Sequence, residues 1–136
     1  MISFEVKMPV RYYETDLMGV VHHSNYIRYF ECARNELMKH IGYPIERCEA
    51  EGVTIPIVKV ACRYNHPAKM GDLVTVSASI EKSPLAKLSV QQVVRNQDGQ
   101  VCVEGEVMLG FLGKSGRPVA CPEPLVKAIE QHLNDR

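Results

Sequence analysis

An acid, a glycine and two histidines fall within one short stretch: Asp16, Gly19, His22 and His23 in TDLMGVVHHSN. The stretch leaves a polar strand end at Arg11, reaches a carboxylate, turns at the glycine and enters a long helix near Ser24 and Asn25. A helix start presents free backbone N–H groups and partial positive charge. A carboxylate beside it can attack an acyl carbon, or activate water toward it, while those N–H groups hold the resulting oxyanion. Asp16 has no basic neighbour between Thr15 and Val21, and Leu17, Met18, Val20 and Val21 around it are apolar. That setting predicts a partly dry site, and desolvation makes a carboxylate a better base. The same Asp also reads as a turn-capping residue. Both readings stand at this level.

The neighbouring residues divide in the same way. Adjacent histidines cannot both point into one pocket from a regular element. The backbone N–H of His23, at the helix entry, is the more useful group: it is placed to donate to a carbonyl oxygen. Ser24 and Asn25 read as N-caps or as substrate contacts. Tyr26 and Tyr29 read as packed rings whose hydroxyls reach a polar partner. Glu36 and His40 stand one helical turn apart and read as a solvated pair. There is no HExxH and no Cys/His cluster, so no metal is expected. No GxxxxGK[ST], GxGxxG or GxSxG occurs either. Lys59, Arg63, Lys69, Lys82, Lys87 and Arg95 therefore read mainly as solvated charges along the strands. No cysteine has the basic surroundings of a reactive thiolate.

The elements that must position these residues follow from periodicity. Phe4, Val6, Met8, Val10 and Tyr12 alternate with Ser3, Glu5, Lys7 and Arg11, which predicts a half-buried strand. Pro9 lies in the outer phase, as at a sheet edge or bulge. From Ser24 the period becomes helical through Ile27, Phe30, Ala33, Leu37 and Ile41, ending at Gly42 with Pro44 beyond. Its wide apolar arc predicts a helix enclosed by other elements. A loop over 43–52 follows, then strands over 53–64, 72–82, 85–96 and about 101–111. The Asp98-Gly99 pair predicts a hairpin, GKSGRP a loop, and residues 122–133 a short amphipathic helix. The order implies an α+β fold, a mostly antiparallel sheet packed over one long helix. One helix cannot cover both faces of that sheet, and its edges need protection, so self-association is expected.

The bulk numbers agree with a single domain spanning residues 1–136. Length suits one core, and the apolar fraction of 46% is ordinary. Sixteen basic and sixteen acidic residues cancel, which excludes a global attraction to nucleic acid or membrane. Five cysteines without CxxC spacing favour a reducing compartment. The N-terminus carries no signal-like apolar block and no segment is long enough to span a bilayer, so a cytoplasmic location without membrane insertion is expected.

The segment YYETDLMGVVHHSNYIRYFECAR, Tyr12 to Arg34, closely resembles the signature of the 4-hydroxybenzoyl-CoA thioesterase-like group of hotdog-fold proteins, which includes the Tol-Pal-associated acyl-CoA thioesterases. YNHPAKMGDLVTV (Tyr64 to Val76), the Asp98-Gly99 hairpin and GRPVACP (Gly116 to Pro122) fit the same pattern. The resemblance implies a hotdog: a curved antiparallel sheet wrapped around one long central helix. It implies homodimers whose sheets join, often paired into homotetramers, with active sites at the dimer interface. It places Asp16 on the catalytic carboxylate, as nucleophile or general base, and the His23 amide on the thioester carbonyl. Asn25 and Tyr26 then fall among the substrate-binding residues. Val58 and Lys59 would come from the partner subunit and line the acyl or pantetheine channel. Leu17-Met18 stand where many relatives have Ala-Gly or Pro-Ala, implying a reshaped acyl pocket.

The expected function is Asp-dependent hydrolysis of an acyl-CoA thioester, releasing a carboxylic acid and CoA, without a cofactor. Three alternatives remain open at this level. One is a non-catalytic hotdog that binds acyl thioesters. Another is a thioesterase acting on acyl carrier protein. A hydratase or dehydratase on the same fold is the third.

Overall fold

The computed structural model describes residues 1–134. β1 (Ile2–Pro9) leads through a 3-10 turn (Tyr12–Glu14) to α1 (His23–His40) and a short α2 (Ile45–Ala50). Four strands follow, β2 (Ile57–Tyr64), β3 (Leu73–Ile80), β4 (Leu88–Arg95) and β5 (Val101–Leu109), and then α3 (Glu123–Asn134). The sheet runs β1-β3-β4-β5-β2, and every neighbouring pair is antiparallel. β3, β4 and β5 form the expected meander, with Gly99 at φ +81° in the β4–β5 connection. β1 is an edge strand, which explains why Pro9 is tolerated there.

Alternation decides what the sheet presents to α1. Val74, Val76, Ala78 and Ile80 of β3 and Leu88, Val90 and Val94 of β4 point inward and are buried. They meet Phe30, Ala33 and Leu37 of α1 and Ile41 just past its end, also buried. The opposite face carries small polar side chains, Thr75, Ser77, Ser79, Ser89 and Gln91, so water suits it without cover. The expected need to cover both faces is thus weaker than the element count suggests. α1 is not enclosed on every side either: Ser24, Arg28, Glu31 and Cys32 lie exposed.

Four local expectations are revised. The first strand ends at Pro9, and Tyr12 leaves the inward phase to stand 79% exposed beside Tyr13. The 43–52 loop contains α2, a helix too short for a periodic signal, with its own Cys48 buried. Glu36 pairs with Lys39 at 3.3 Å, whereas the His40 ring lies 4.9 Å from Phe4. β2 begins at Ile57, after Pro56, rather than at residue 53. The helix stop is as expected: Gly42 takes φ +84°, its N–H bonds Lys39 O, and Tyr43 N–H bonds Met38 O.

Candidate active site

The Asp16 turn is closed by its own backbone. Asp16 N–H donates to Val20 O, Gly19 N–H donates to Asp16 O, and Met18 N–H donates to Asp16 Oδ1 at 2.8 Å. Gly19 closes the turn at φ +77°, a left-handed conformation that costs a side chain. Around this turn the chain doubles back, pairing Thr15 with Val21 and Val20 with Lys69. Asp16 therefore sits at the tip of a small hairpin fixed to the segment before β3.

The helix start is tied to the base of that hairpin through Glu14. Its carbonyl oxygen accepts from His22 N–H at 3.0 Å and from Asn25 Nδ2 at 2.8 Å. Its buried carboxylate accepts from Arg11 N–H at 2.8 Å, Arg11 Nη1 at 3.1 Å and the Tyr29 hydroxyl at 2.9 Å. Sequence reasoning missed Glu14. Its signal was the Arg11–Glu14 spacing, but Tyr29 arrives from fifteen residues away through the fold. Tyr26, buried, accepts from Ala68 N–H at 3.0 Å through its hydroxyl, so both tyrosines pack with a polar partner as expected.

Capping differs from expectation. His22, not Ser24 or Asn25, is the N-cap: its Nδ1 accepts from Ser24 N–H at 3.3 Å and lies 2.8 Å from Ser24 Oγ. Asn25 instead reaches back to Glu14. His23 is the first helical residue, and its N–H finds no acceptor among the described residues. The two imidazoles lie exposed with centroids 4.2 Å apart. His23, Tyr26, Val21, Tyr64 and His66 line an open cleft of about 280 Å³ at this end of the sheet.

The dry setting expected for Asp16 is absent from a single subunit. Asp16 is exposed, and Leu17 and Met18 beside it are 107% and 83% exposed, because the hairpin projects them away from the core. Val58 and Lys59 lie near the opposite end of β2 from Tyr64, roughly 20 Å along the strand at about 3.3 Å per residue. One chain does not bring them to Asp16. The β2–β5 register slips between Ile57 and Lys59, so Val58 is a bulge residue, 49% exposed on an unpaired sheet edge. Among the described residues no three His, Cys, Asp or Glu side chains are grouped to hold a metal ion.

Residues 10–129 match the thioesterase-like superfamily. The chain belongs to that superfamily. It is 34% identical over 133 residues to an acyl-CoA thioesterase of Haemophilus influenzae, covering 96% of each chain. With an acyl-CoA thioester hydrolase of Escherichia coli O157:H7 it shares 30% over 128 residues, 92% of this chain and 96% of that one. A solved DHNA-CoA thioesterase from Staphylococcus aureus superposes with a TM-score of 0.89 at 25% identity, covering 98% of this chain and 94% of that one. The hotdog architecture and thioester hydrolysis as the class of activity, both implied by the Tyr12–Arg34 signature, are thereby borne out. No finding favours a non-catalytic or dehydratase reading over hydrolysis.

Proposed function

We propose that this superfamily member hydrolyses acyl-CoA thioesters by means of Asp16 and the N-terminus of α1. The observation that carries the reading is the Glu14 clamp, which ties the base of the Asp16 hairpin and the start of α1 into one frame. Asp16 acts as nucleophile or as the base that activates water. The His23 N–H, with no acceptor among the described residues, donates to the carbonyl oxygen as it becomes an oxyanion. Asn25 and Tyr26 hold the helix start and the cleft wall in place. The relatives act on acyl-CoA, and their coverage is close to full length on both sides.

Self-association completes the site in this reading. A second copy pairs along the free edge of β2 and brings its Val58 and Lys59 beside the first copy's Asp16 hairpin. Apolar exposure supports this: Ile57, Val58 and Tyr64 on the edge, and Tyr12, Tyr13, Leu17 and Met18 around the hairpin, all face solvent in one chain. Homodimers are the minimal unit, and homotetramers are compatible with it. Five unpaired thiols fit a reducing, cytoplasmic setting; among the described residues no helix is long and apolar enough to cross a membrane.

The test is Asp16→Asn, assayed by thiol release from an acyl-CoA panel. General-base or nucleophilic loss predicts a fall of about 10²–10⁴-fold in kcat, with circular dichroism and Tm unchanged. Turnover near that of the unaltered protein overturns the assignment.

A further inference from the structure

His66 lines the same cleft as the start of α1 and has no part in the mechanism above. That cleft, about 280 Å³, is walled by Val21 of the Asp16 hairpin, by His23 and Tyr26 of α1, and by the segment 64–67. The backbone on either side of His66 is held at three points. Asn65 N–H and His66 N–H both donate to Cys102 O, at 2.8 and 3.2 Å. Ala68 N–H donates to the Tyr26 hydroxyl at 3.0 Å. Ala68 O accepts from Val21 N–H at 2.8 Å. Pro67 further restricts His66 to extended geometry. Main-chain bonds therefore tie this segment to both the helix start and the hairpin. The half-buried His66 imidazole takes no part in that anchoring, and it makes no hydrogen bond among the described residues.

A free imidazole on this wall has a chemical use. A thioester whose carbonyl oxygen sits on the His23 N–H has its sulfur one bond from the carbonyl carbon. A cleft of this size is a few ångströms across, so a group on its wall reaches the sulfur directly or through one water. When the C–S bond breaks, that sulfur takes up a full negative charge. The other titratable side chains of the cleft are poorly suited to neutralise it. Burial pushes the Tyr26 and Tyr64 phenols up, which makes them weaker proton donors. The His23 ring lies against that of His22, centroids 4.2 Å apart, and His22 Nδ1 is 2.8 Å from Ser24 Oγ. An imidazolium is a stronger acid than an alkyl thiol, so proton transfer from it to a thiolate runs downhill.

We propose that His66 is a further catalytic residue, the general acid that protonates the leaving CoA sulfur. Addition to the carbonyl carbon, by the Asp16 carboxylate or by water whose proton passes to Asp16, moves the C=O electron pair onto the oxygen held by the His23 N–H. As the C=O bond re-forms, the C–S bond breaks and its electron pair goes to sulfur. The His66 imidazolium gives its proton to that sulfur, leaving CoA thiol and a neutral imidazole. In the water route the proton held on Asp16 returns to the imidazole through solvent. In the covalent route the neutral imidazole takes a proton from the water that cleaves the acyl–Asp16 anhydride. Either way the sum is thioester plus water giving carboxylic acid plus thiol. The proposal deepens the thioesterase reading and rests on it for the reaction.

The experiment varies the leaving group at a constant acyl group. An acyl-CoA is compared with the nitrothiophenyl thioester of the same acid, whose thiolate departs without needing a proton. His66→Gln, and His66→Phe, which keeps the bulk of the ring, should lower kcat for the acyl-CoA by roughly 10²-fold. Both should leave turnover of the nitrothiophenyl thioester within about threefold of the unaltered protein. Calorimetry with a non-hydrolysable CoA thioether should show unchanged binding. An equal loss for both leaving groups, or lost thioether binding, makes His66 a structural residue and overturns the proposal. Full activity toward the acyl-CoA overturns it too, as does a leaving-group dependence that appears in His23→Gln and not in the His66 variants. No turnover of any thioester by the unaltered protein overturns the thioesterase reading, and the His66 role with it; turnover that the His66 variants retain overturns the role alone.

Discussion

The Tyr29 hydroxyl, from the second turn of α1, donates a 2.9 Å hydrogen bond to the buried carboxylate of Glu14, at the root of the Asp16 hairpin. Through this contact the core-facing side of the helix governs the position of a loop on the surface. Arg11 completes the arrangement from the start of the 3-10 turn, with its backbone N–H and Nη1 both on the same carboxylate. The Asp16 turn is thus held at its root by Arg11, Glu14 and Tyr29 rather than by its own exposed residues.

Tyr29→Phe tests this coupling with the smallest change available. It deletes one hydrogen bond to a charged acceptor, a loss of about 1.5–3 kcal/mol. Chemical unfolding should show that loss as a lower midpoint with an unchanged denaturant slope. If the clamp positions Asp16, kcat falls further than the unfolded fraction explains, while KM changes little. A stability loss with full residual kcat would make Glu14 a purely structural anchor.

Two buried tyrosines steepen the alkaline loss of stability. Burial first, and then a hydrogen-bonded carboxylate (Glu14 for Tyr29, Glu51 for Tyr43), pushes both phenols above the ordinary value of about 10. Above that pH the unfolded chain loses these protons while the folded chain keeps them. The unfolded state then binds fewer protons, so stability falls as pH rises. Urea midpoints should begin to decline near pH 9, where the unfolded chain loses the thiol protons that burial keeps on Cys48, Cys62, Cys102 and Cys121, and more steeply beyond about 10, with that steeper part shallower in Tyr29→Phe. A midpoint that rises above pH 10 would contradict the sign.

Much of this was legible beforehand, for reasons that are local. The switch from alternating to helical spacing between Tyr12 and Ile27 marks the strand–turn–helix order that carries the site. Gly42 and Gly99 mark ends because only a left-handed residue fits there. What was not legible is tertiary. His22 displaces Ser24 and Asn25 as the cap because Asn25 is drawn to Glu14 O, a partner eleven residues away. The Arg34–Gln92 contact joins residues fifty-eight apart, and no pattern along the chain announces it. The exposure of Leu17 and Met18 also escaped reading, since an apolar pair in sequence says nothing about whether its own subunit covers it.

The β2 edge supplies a prediction about assembly. Val58 bulges from an unpaired strand and is half exposed beside Ile57. Val58→Asp puts a charge where a second copy would seat, at little cost to the isolated chain because the site is solvated. Sedimentation should change from dimer or larger to monomer, with Tm nearly retained. Thioesterase activity should fall at least about tenfold, since the acyl channel loses one wall. An active, still-associated variant would place the interface elsewhere.

Gly19 closes the hairpin at φ +77° with nothing within 4 Å of where a Cβ would stand. Space is therefore no obstacle to Gly19→Ala; the backbone conformation is. A left-handed alanine costs about 1–2 kcal/mol, and the turn relaxes toward right-handed geometry to avoid it. Relaxation weakens the Gly19 N–H to Asp16 O bond and swings the Asp16 carboxylate relative to α1. A misplacement of about 1 Å in a reacting group can cost 10²-fold. Gly19→Ala should lower Tm by a few degrees and kcat by one to two orders of magnitude, with KM for acyl-CoA little changed. The same drop in Tm without a drop in kcat would show that Asp16 tolerates its turn being rebuilt, and would weaken its assignment as the reacting carboxylate.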